Sequence, residues 1–219
     1  MKNFIEKRDG FTMIEFIFVI IVIGILTSVG MSRLEKNNYQ DAADAILSDI
    51  RYTQHLALLD YKHRHDDLRW QKSFWQIGFK YCSGSVNYYE YIGSDMNYRG
   101  AIDNNESAID PLNGKRMIWR GYGVCDSGGD ADTSNRIFLT KEYGIKAISF
   151  SGSCRNSKYI AFDHLGRLYH KIDGNSLPFH ANYLSSTCTI TFTLSDDKSF
   201  SIDIEPETGY AHIVDQNLS

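Results

Sequence analysis

Apolar and polar positions divide the chain into three stretches. Residues 1–10 are polar and carry Lys2, Lys7 and Arg8. An apolar run follows from Phe11 to Met31, interrupted by a single charge at Glu15. As a helix rising ~1.5 Å per residue, this run reaches about 31 Å, which predicts a segment able to cross a hydrocarbon core of ~30 Å. It lacks the shorter apolar stretch and Ala-x-Ala ending of an ordinary secretory signal, so it is expected to be retained. The basic residues ahead of it predict a cytoplasmic N-terminus and a body on the far side of the membrane. Beyond the run, Tyr39, Ala43, Ile46, Ile50 and Ala57 recur at helical spacing with Leu47 beside them. The helix is therefore expected to continue to about Tyr61, its second half turning an apolar stripe towards the body.

The pattern then changes period. Trp75, Ile77, Phe79 and Tyr81 alternate with Gln76, Gly78 and Lys80, the signature of a half-buried strand, and Val86 to Ile92 is its expected hairpin partner. Residues 93–135 are rich in Gly, Asp, Asn and Ser and predict a long irregular excursion. Short strands are expected around 137–139, 145–150, 159–162, 168–171, 188–194, 199–204 and 210–214, the later ones separated by turn sequences. The expected fold is α+β: a long N-terminal helix, transmembrane over 11–31 and a stem over 32–61, packed on a mostly antiparallel sheet domain over 62–219.

Composition narrows the function classes. With 3 prolines and 13% aromatic residues the chain is neither disordered nor collagen-like. A net charge of −4 argues against a surface that grips nucleic acid everywhere and leaves room only for a local basic patch. Residues 51–80 supply one candidate, with Arg51, Lys62, Arg64, Arg69, Lys72 and Lys80 interleaved with Trp70, Phe74 and Trp75. The alternative is a charged helix end followed by a core strand. No Gly-x-Ser-x-Gly elbow occurs, and Gly121-Tyr122-Gly123 has Asp126 where a dinucleotide loop needs its third glycine, so no enzyme activity is expected.

Gly10-Phe11-Thr12-Met13-Ile14-Glu15 ahead of an apolar helix resembles the class III signal of type IV pilins and type II secretion pseudopilins. The resemblance implies that a prepilin peptidase removes residues 1–10, cutting between Gly10 and Phe11 and methylating the new amino terminus. It further implies that Glu15 pairs with the terminal ammonium of a neighbouring subunit in a filament; an interfacial charge favoured by the helix dipole is the plainer reading. The stretch from about 145 to 214 is similar to the GspH/FimT group of minor pilins. The likeness lies in a strand ending at Asp163-His164-Leu165-Gly166, a late hairpin and a final Glu207-Thr208-Gly209 turn. Many pilins carry a kinking proline near the position of Ser32, and none stands here.

By this resemblance the chain is a minor pseudopilin or minor pilin with a structural and assembly role. Its implied partners are other pilins, the peptidase, an inner-membrane assembly platform and membrane lipid, and its implied location is the bacterial inner membrane with a periplasmic body. The alternative function is a DNA-binding minor pilin. Gly209-Tyr210-Ala211-His212 lacks the arginine or lysine that DNA-binding members use near that turn, which weakens it.

Cys82, Cys125, Cys154 and Cys188 lie in the part expected outside the cytoplasm and allow three disulfide connectivities. The favoured one joins Cys82 to Cys125 and Cys154 to Cys188. Their spacing lacks the close pairs of a zinc site. His63, His65, Asp66 and Asp67 form a local cluster whose alternatives are a transition-metal site and a solvated turn, the turn being favoured. Asp126, Asp130 and Asp132 offer hard oxygens suited to Ca2+, without EF-hand spacing, and an ordinary acidic loop is the default. No cofactor is otherwise expected.

Overall fold

The computed structural model describes residues 13–33, 38–82, 85–121, 125, 131–173 and 182–214. They fall into two compact units, residues 1–37 and 38–219. The first unit contains helix α1 (Met13–Arg33). The second begins with helix α2 (Asn38–Leu59) and continues into an α+β body with two four-stranded antiparallel sheets.

The membrane expectation is corrected. No helix among the described residues is long and apolar enough to cross a membrane, which conflicts with the transmembrane half over 11–31 and with single-pass placement in an inner membrane. The physical reason lies in the composition of α1. Between Glu15 and Thr27 its uninterrupted apolar stretch rises only about 17 Å, well short of the ~30 Å required. The single helix expected over 11–61 is described as α1 and α2, with residues 34–37 outside the described set.

The first sheet runs in the order β2-β1-β4-β5, from β1 (Trp75–Tyr81), β2 (Tyr88–Ser94), β4 (Tyr159–Phe162) and β5 (Leu168–Tyr169). The second runs β3-β6-β7-β8, from β3 (Ile145–Gly152), β6 (Cys188–Leu194), β7 (Ser199–Ile204) and β8 (Ala211–Ile213). The expected hairpin of β1 with the aromatic run after it is present, in the register Ile77 opposite Ile92 and Phe79 opposite Glu90. Where a strand was expected around 137–139, a 3-10 turn (Asn135–Ile137) leads into a short helix, α3 (Leu139–Tyr143), closed by Gly144 in the left-handed region. The apolar triplet Ile137-Phe138-Leu139 is wholly buried, and a run that short carries no period to separate strand from helix.

Periodicity explains the core. Ala42, Ala43, Ile46, Leu47, Ile50 and Ala57 form the buried stripe of α2, which packs against strands of both sheets. In β6 and β7, Ile190, Phe192, Leu194, Phe200, Ile202 and Ile204 point inward. The alternate positions carry a polar ladder in which Thr189 bonds Asp203, Thr191 bonds Ser201 and Ser199 bonds Thr193. Phe79 of the first sheet meets Phe192 of the second edge-on at 5.3 Å between ring centroids, tying the two layers together.

Polar contacts fix α2 in place. Arg51 donates to the Ala211 carbonyl at 2.9 Å, Tyr52 to the Ile109 carbonyl at 2.8 Å, and Gln54 to the Thr208 carbonyl. The turn sequences at 163–166 and 207–209 meet each other here. Gly209 has φ 63°, and a Cβ on it would come within 2.3 Å of the Gly166 carbonyl oxygen and 2.5 Å of Gln54 Nε2. Asp163, itself buried, accepts from the Leu165 and Arg167 amides and pairs with the Arg167 guanidinium at 2.7 Å. Both turns thus serve to dock α2.

Disulfides join Cys82 to Cys125 and Cys154 to Cys188, with Cα–Cα distances of 5.6 and 5.2 Å. The first links the end of β1 to the irregular excursion, and the second links the end of β3 to the start of β6. Replacing Cys154 and Cys188 together by alanine is expected to cost about 3 to 4 kcal/mol in urea unfolding, the chain-entropy value for a loop of this length. Gly209→Ala is expected to lower stability by about 1 to 3 kcal/mol, because it combines a left-handed backbone with a backbone clash. An unchanged urea midpoint in either variant contradicts the role assigned to it.

Candidate functional site

Three features carry chemistry: the apolar helix α1, a buried charge cluster under α2, and a lysine-lined cavity on the outer face of the first sheet.

In α1 every side chain over residues 13–26 is exposed, from 37% at Val22 to 83% at Met13, and Glu15 lies in the first turn. Apolar residues occur all round this helix, so it presents no polar face to water. The cleavage residues Gly10 and Phe11 lie outside the described residues.

The charge cluster joins four elements. Arg136, in the 3-10 turn before α3, pairs with Asp49 of α2 and, at 3.1 Å, with Asp110 of the excursion. Asp110 is fully buried and also accepts from Ser134 Oγ at 2.6 Å and Asn113 Nδ2 at 2.9 Å. Glu90 of β2 completes the group. It is buried, neither of its carboxyl oxygens has a hydrogen-bond partner, and the Asp49 carboxyl is its charged neighbour. Burial first, then the Asp49 charge, raises Glu90 well above the ordinary carboxylate range, while Arg136 opposes the shift. Burial likewise raises Asp49. Tyr143 of α3 faces the same charges, and burial followed by the Glu90 charge pushes its phenol up to about 12.

The cavity arises from strand alternation. Ile77 and Phe79 belong to the main core, which leaves Gln76, Gly78 and Lys80 on the opposite face of β1, beside Tyr91 of β2 and Tyr159 of β4. The Tyr91 ring occupies the space above Gly78, where a Cβ would come within 2.5 Å of it. The Lys80 ammonium sits 4.5 Å from the centre of that ring. Loop residues Asp95, Gly100 to Ile102 and Lys171 to Asp173 border a cavity of about 250 Å³ whose lining includes Lys72, Lys80, Lys158 and Lys171. Lys72 is buried and lines this cavity.

Among the described residues no carboxylate lies within salt-bridge distance of these four ammonium groups. The two acids in the wall are engaged with other donors. Asp95 accepts from the Arg99 and Gly100 amides at 3.0 and 2.6 Å, and Asp173 accepts from the Tyr159 hydroxyl at 2.7 Å. Desolvation, then the charges of Arg120 and Lys158, push the Lys80 ammonium below its ordinary value against the pull of Asp173. Lys171 and Asn156, both in the wall, have φ of 51° and 63°. For lysine that is an uncommon conformation, of the kind that gathers at functional sites.

A second cavity of about 430 Å³ shares Lys80, Tyr91, Ala101 and Ile102 with the first and is otherwise walled by Tyr81, Tyr89, Trp119 and Arg120. Arg120 pairs with Asp103 at 2.9 Å.

The basic stretch over 51–80 does not form one surface. Arg51 is bonded to a carbonyl, Lys62 pairs with Asp60 at 2.6 Å and Arg69 with Asp67 at 2.8 Å, while Lys72 and Lys80 line the cavity. Among the described residues no group of three or more His, Cys, Asp or Glu is placed to hold a metal ion. The His63 ring stacks edge-on to Trp70 at 4.8 Å, and Asp67 caps the turn that holds Arg69. Of the three candidate calcium residues, Asp126 and Asp130 lie outside the described residues, and Asp132 is exposed at 3.7 Å from Arg116.

Sequence reasoning did not find Glu90, Asp110 or Arg136, which are far apart in the chain and carry no local motif. Lys158 and Lys171 stand singly beside short strands and were equally invisible.

No family model, characterised protein or solved structure matches the chain.

The raised Glu90 carboxyl generates a pH dependence. Folded Glu90 keeps its proton to higher pH than the unfolded chain does, so the native state binds more protons as pH rises from the usual carboxylate range to its raised value. Stability therefore falls with rising pH across that window, by up to about 1.4 kcal/mol per pH unit for one proton. Glu90→Gln keeps the shape of the side chain and cannot ionise. Its melting temperature at pH 7 is expected to match or exceed that of the parent, with the decline towards alkaline pH reduced. A lower melting temperature with an unchanged slope contradicts the assignment of this decline to Glu90.

Proposed function

We propose that the chain is a subunit of a pilin-type filament, of the minor pilin or pseudopilin class, with a structural and assembly role. The supporting observation is α1, apolar on every side, exposed along residues 13–26 and carrying one carboxylate in its first turn. Such a helix is unstable in water alone, since exposed apolar surface costs about 25 cal/mol per Å² relative to burial. It is also too short in its apolar part to be satisfied by spanning a bilayer. The occupant that fits its all-round apolar surface is a bundle of like helices, contributed by other copies or by related subunits. Within that bundle Glu15 is desolvated, and a buried carboxylate is retained only when paired with a cation. The terminal ammonium released by cleavage after Gly10 is the cation that the sequence resemblance supplies.

Replacing Ile17 by cysteine should therefore yield covalent dimers of the full-length protein under mild oxidation, formed between α1 helices. Adding Glu15→Ala should lower the yield at least fivefold. Native protein should begin at Phe11 and carry one methyl group by intact mass. A chain that stays monomeric under oxidation, or retains Met1, rejects the filament reading.

A further inference from the structure

We propose that Asn105 is the acceptor for an N-linked glycan, transferred while the loop that carries it is still open. The proposal stands independently of filament assembly. Two asparagines of the chain stand in Asn-x-Ser, Asn105-Glu106-Ser107 and Asn217-Leu218-Ser219, and each has an aspartate two residues ahead, Asp103 and Asp215. Asp/Glu-x-Asn-x-Ser/Thr without proline at x is the acceptor pattern of bacterial oligosaccharyltransferases, in which the hydroxyl places the asparagine and the acid meets a cation of the enzyme. Asn217 lies outside the described residues. The body carries two disulfides, as expected of a chain that folds in an oxidising compartment, where such enzymes have their active sites.

The fold presents Asn105 outward. It is the middle residue of the 3-10 turn Asn104–Glu106, it is exposed, and its side chain makes no hydrogen bond among the described residues. The residues around it face inward: Ile102, Glu106 and Ala108 are buried, and the Glu106 carboxylate accepts from the Asp103 and Asn97 amides, each at 2.9 Å. A glycan on Asn105 Nδ2 therefore extends into solvent without displacing a core side chain. The two groups a transferase must grip are instead engaged within the fold. Asp103 pairs with Arg120 at 2.9 Å and accepts from Asn97 Nδ2 at 3.0 Å, and the Ser107 hydroxyl donates to the Asn104 carbonyl at 2.9 Å. The Cys82–Cys125 crosslink ties down the same excursion. The closed loop exposes the acceptor but occupies its recognition groups, so transfer takes place on the open loop and the finished turn then carries the glycan. In the transfer, Asn105 Nδ2 attacks the anomeric carbon of an oligosaccharide borne on a polyisoprenyl diphosphate. A C–N bond forms, the C–O bond to the diphosphate breaks, the amide proton passes to a carboxylate of the transferase, and the polyisoprenyl diphosphate leaves with the bonding pair.

The test is glycopeptide mass spectrometry on the full-length protein purified from the cells that make it. Trypsin places the two acceptor sequences on separate peptides, residues 100–115 and 199–219. The expected result is a glycan mass increment on peptide 100–115, lost in Asn105→Gln and Ser107→Ala and kept in Ser107→Thr. Asp103→Ala should lose the increment and Asp103→Glu should keep it. Arg120→Gln, which frees Asp103, should raise occupancy about twofold or more, the change in local opening expected when an exposed ion pair is removed. If Asp103 served only to hold the loop, Asp103→Ala would open it as Arg120→Gln does, and occupancy would rise. An unmodified peptide 100–115, an increment that survives Asn105→Gln, or a glycan on peptide 199–219 alone rejects Asn105 as the acceptor. Unchanged or lower occupancy in Arg120→Gln overturns transfer on the open loop.

Discussion

A guanidinium enclosed by carboxyl groups has few arrangements available to it. Arg136 pairs with Asp49 and Asp110, and Glu90 completes the group through Asp49. These residues come from the 3-10 turn before α3, from α2, from the irregular excursion and from β2. Burying one of the charges without the others costs several kcal/mol, so the four elements are held to a single relative placement. Apolar packing alone is less particular. The stripe of α2 could slide by a turn against the sheets at modest cost, whereas Asp49 reaches Arg136 from only one position. The cluster also explains how a stretch rich in Gly, Asp and Asn remains ordered where it crosses the body: Asp110 is fully buried with its oxygens satisfied by Arg136, Ser134 and Asn113.

The remainder of the fold is built around that placement. Gln54, one turn beyond Asp49, reaches the Thr208 carbonyl, and the two glycine turns beneath it approach so closely that neither tolerates a side chain without movement. Each disulfide ties an end of a strand to a distant segment, and the one at Cys125 anchors the excursion that supplies Asp110. Helix, turns and crosslinks thus act on the same joint between α2 and the sheets.

This division separates what the sequence reveals from what it hides. Period-two alternation located β1, β6 and β7, and period 3.6 located the stripe of α2, because both signals are local and repeat. The cysteine pairing was legible because four residues allow few connectivities. The Ile137–Leu139 triplet was misread, since three apolar residues have no period, and the helical choice depends on Gly144 closing α3. The apolar N-terminal run was read as a span because its length was counted from Phe11 to Met31 as one stretch, whereas its uninterrupted apolar part lies between Glu15 and Thr27. The charge cluster and the lysine cavity were both invisible, because each is assembled from single residues carried on separate elements.

Charge bookkeeping shows why the cavity was hidden from composition as well. A net charge of −4 describes the whole chain, but the surface does not carry all of it. Asp49, Asp95, Glu106, Asp110 and Asp163 are buried, bound to Arg136, to Arg167 or to backbone amides, and Glu90 is buried beside Asp49. Lys72 is the one buried cation among the described residues, and it lines the cavity. Acidic charge is thus spent on holding the body together while basic charge accumulates on the outer face of the first sheet. A protein acidic overall can present a cationic recess for this reason, and the same carboxylates that fix α2 leave the lysines without internal partners.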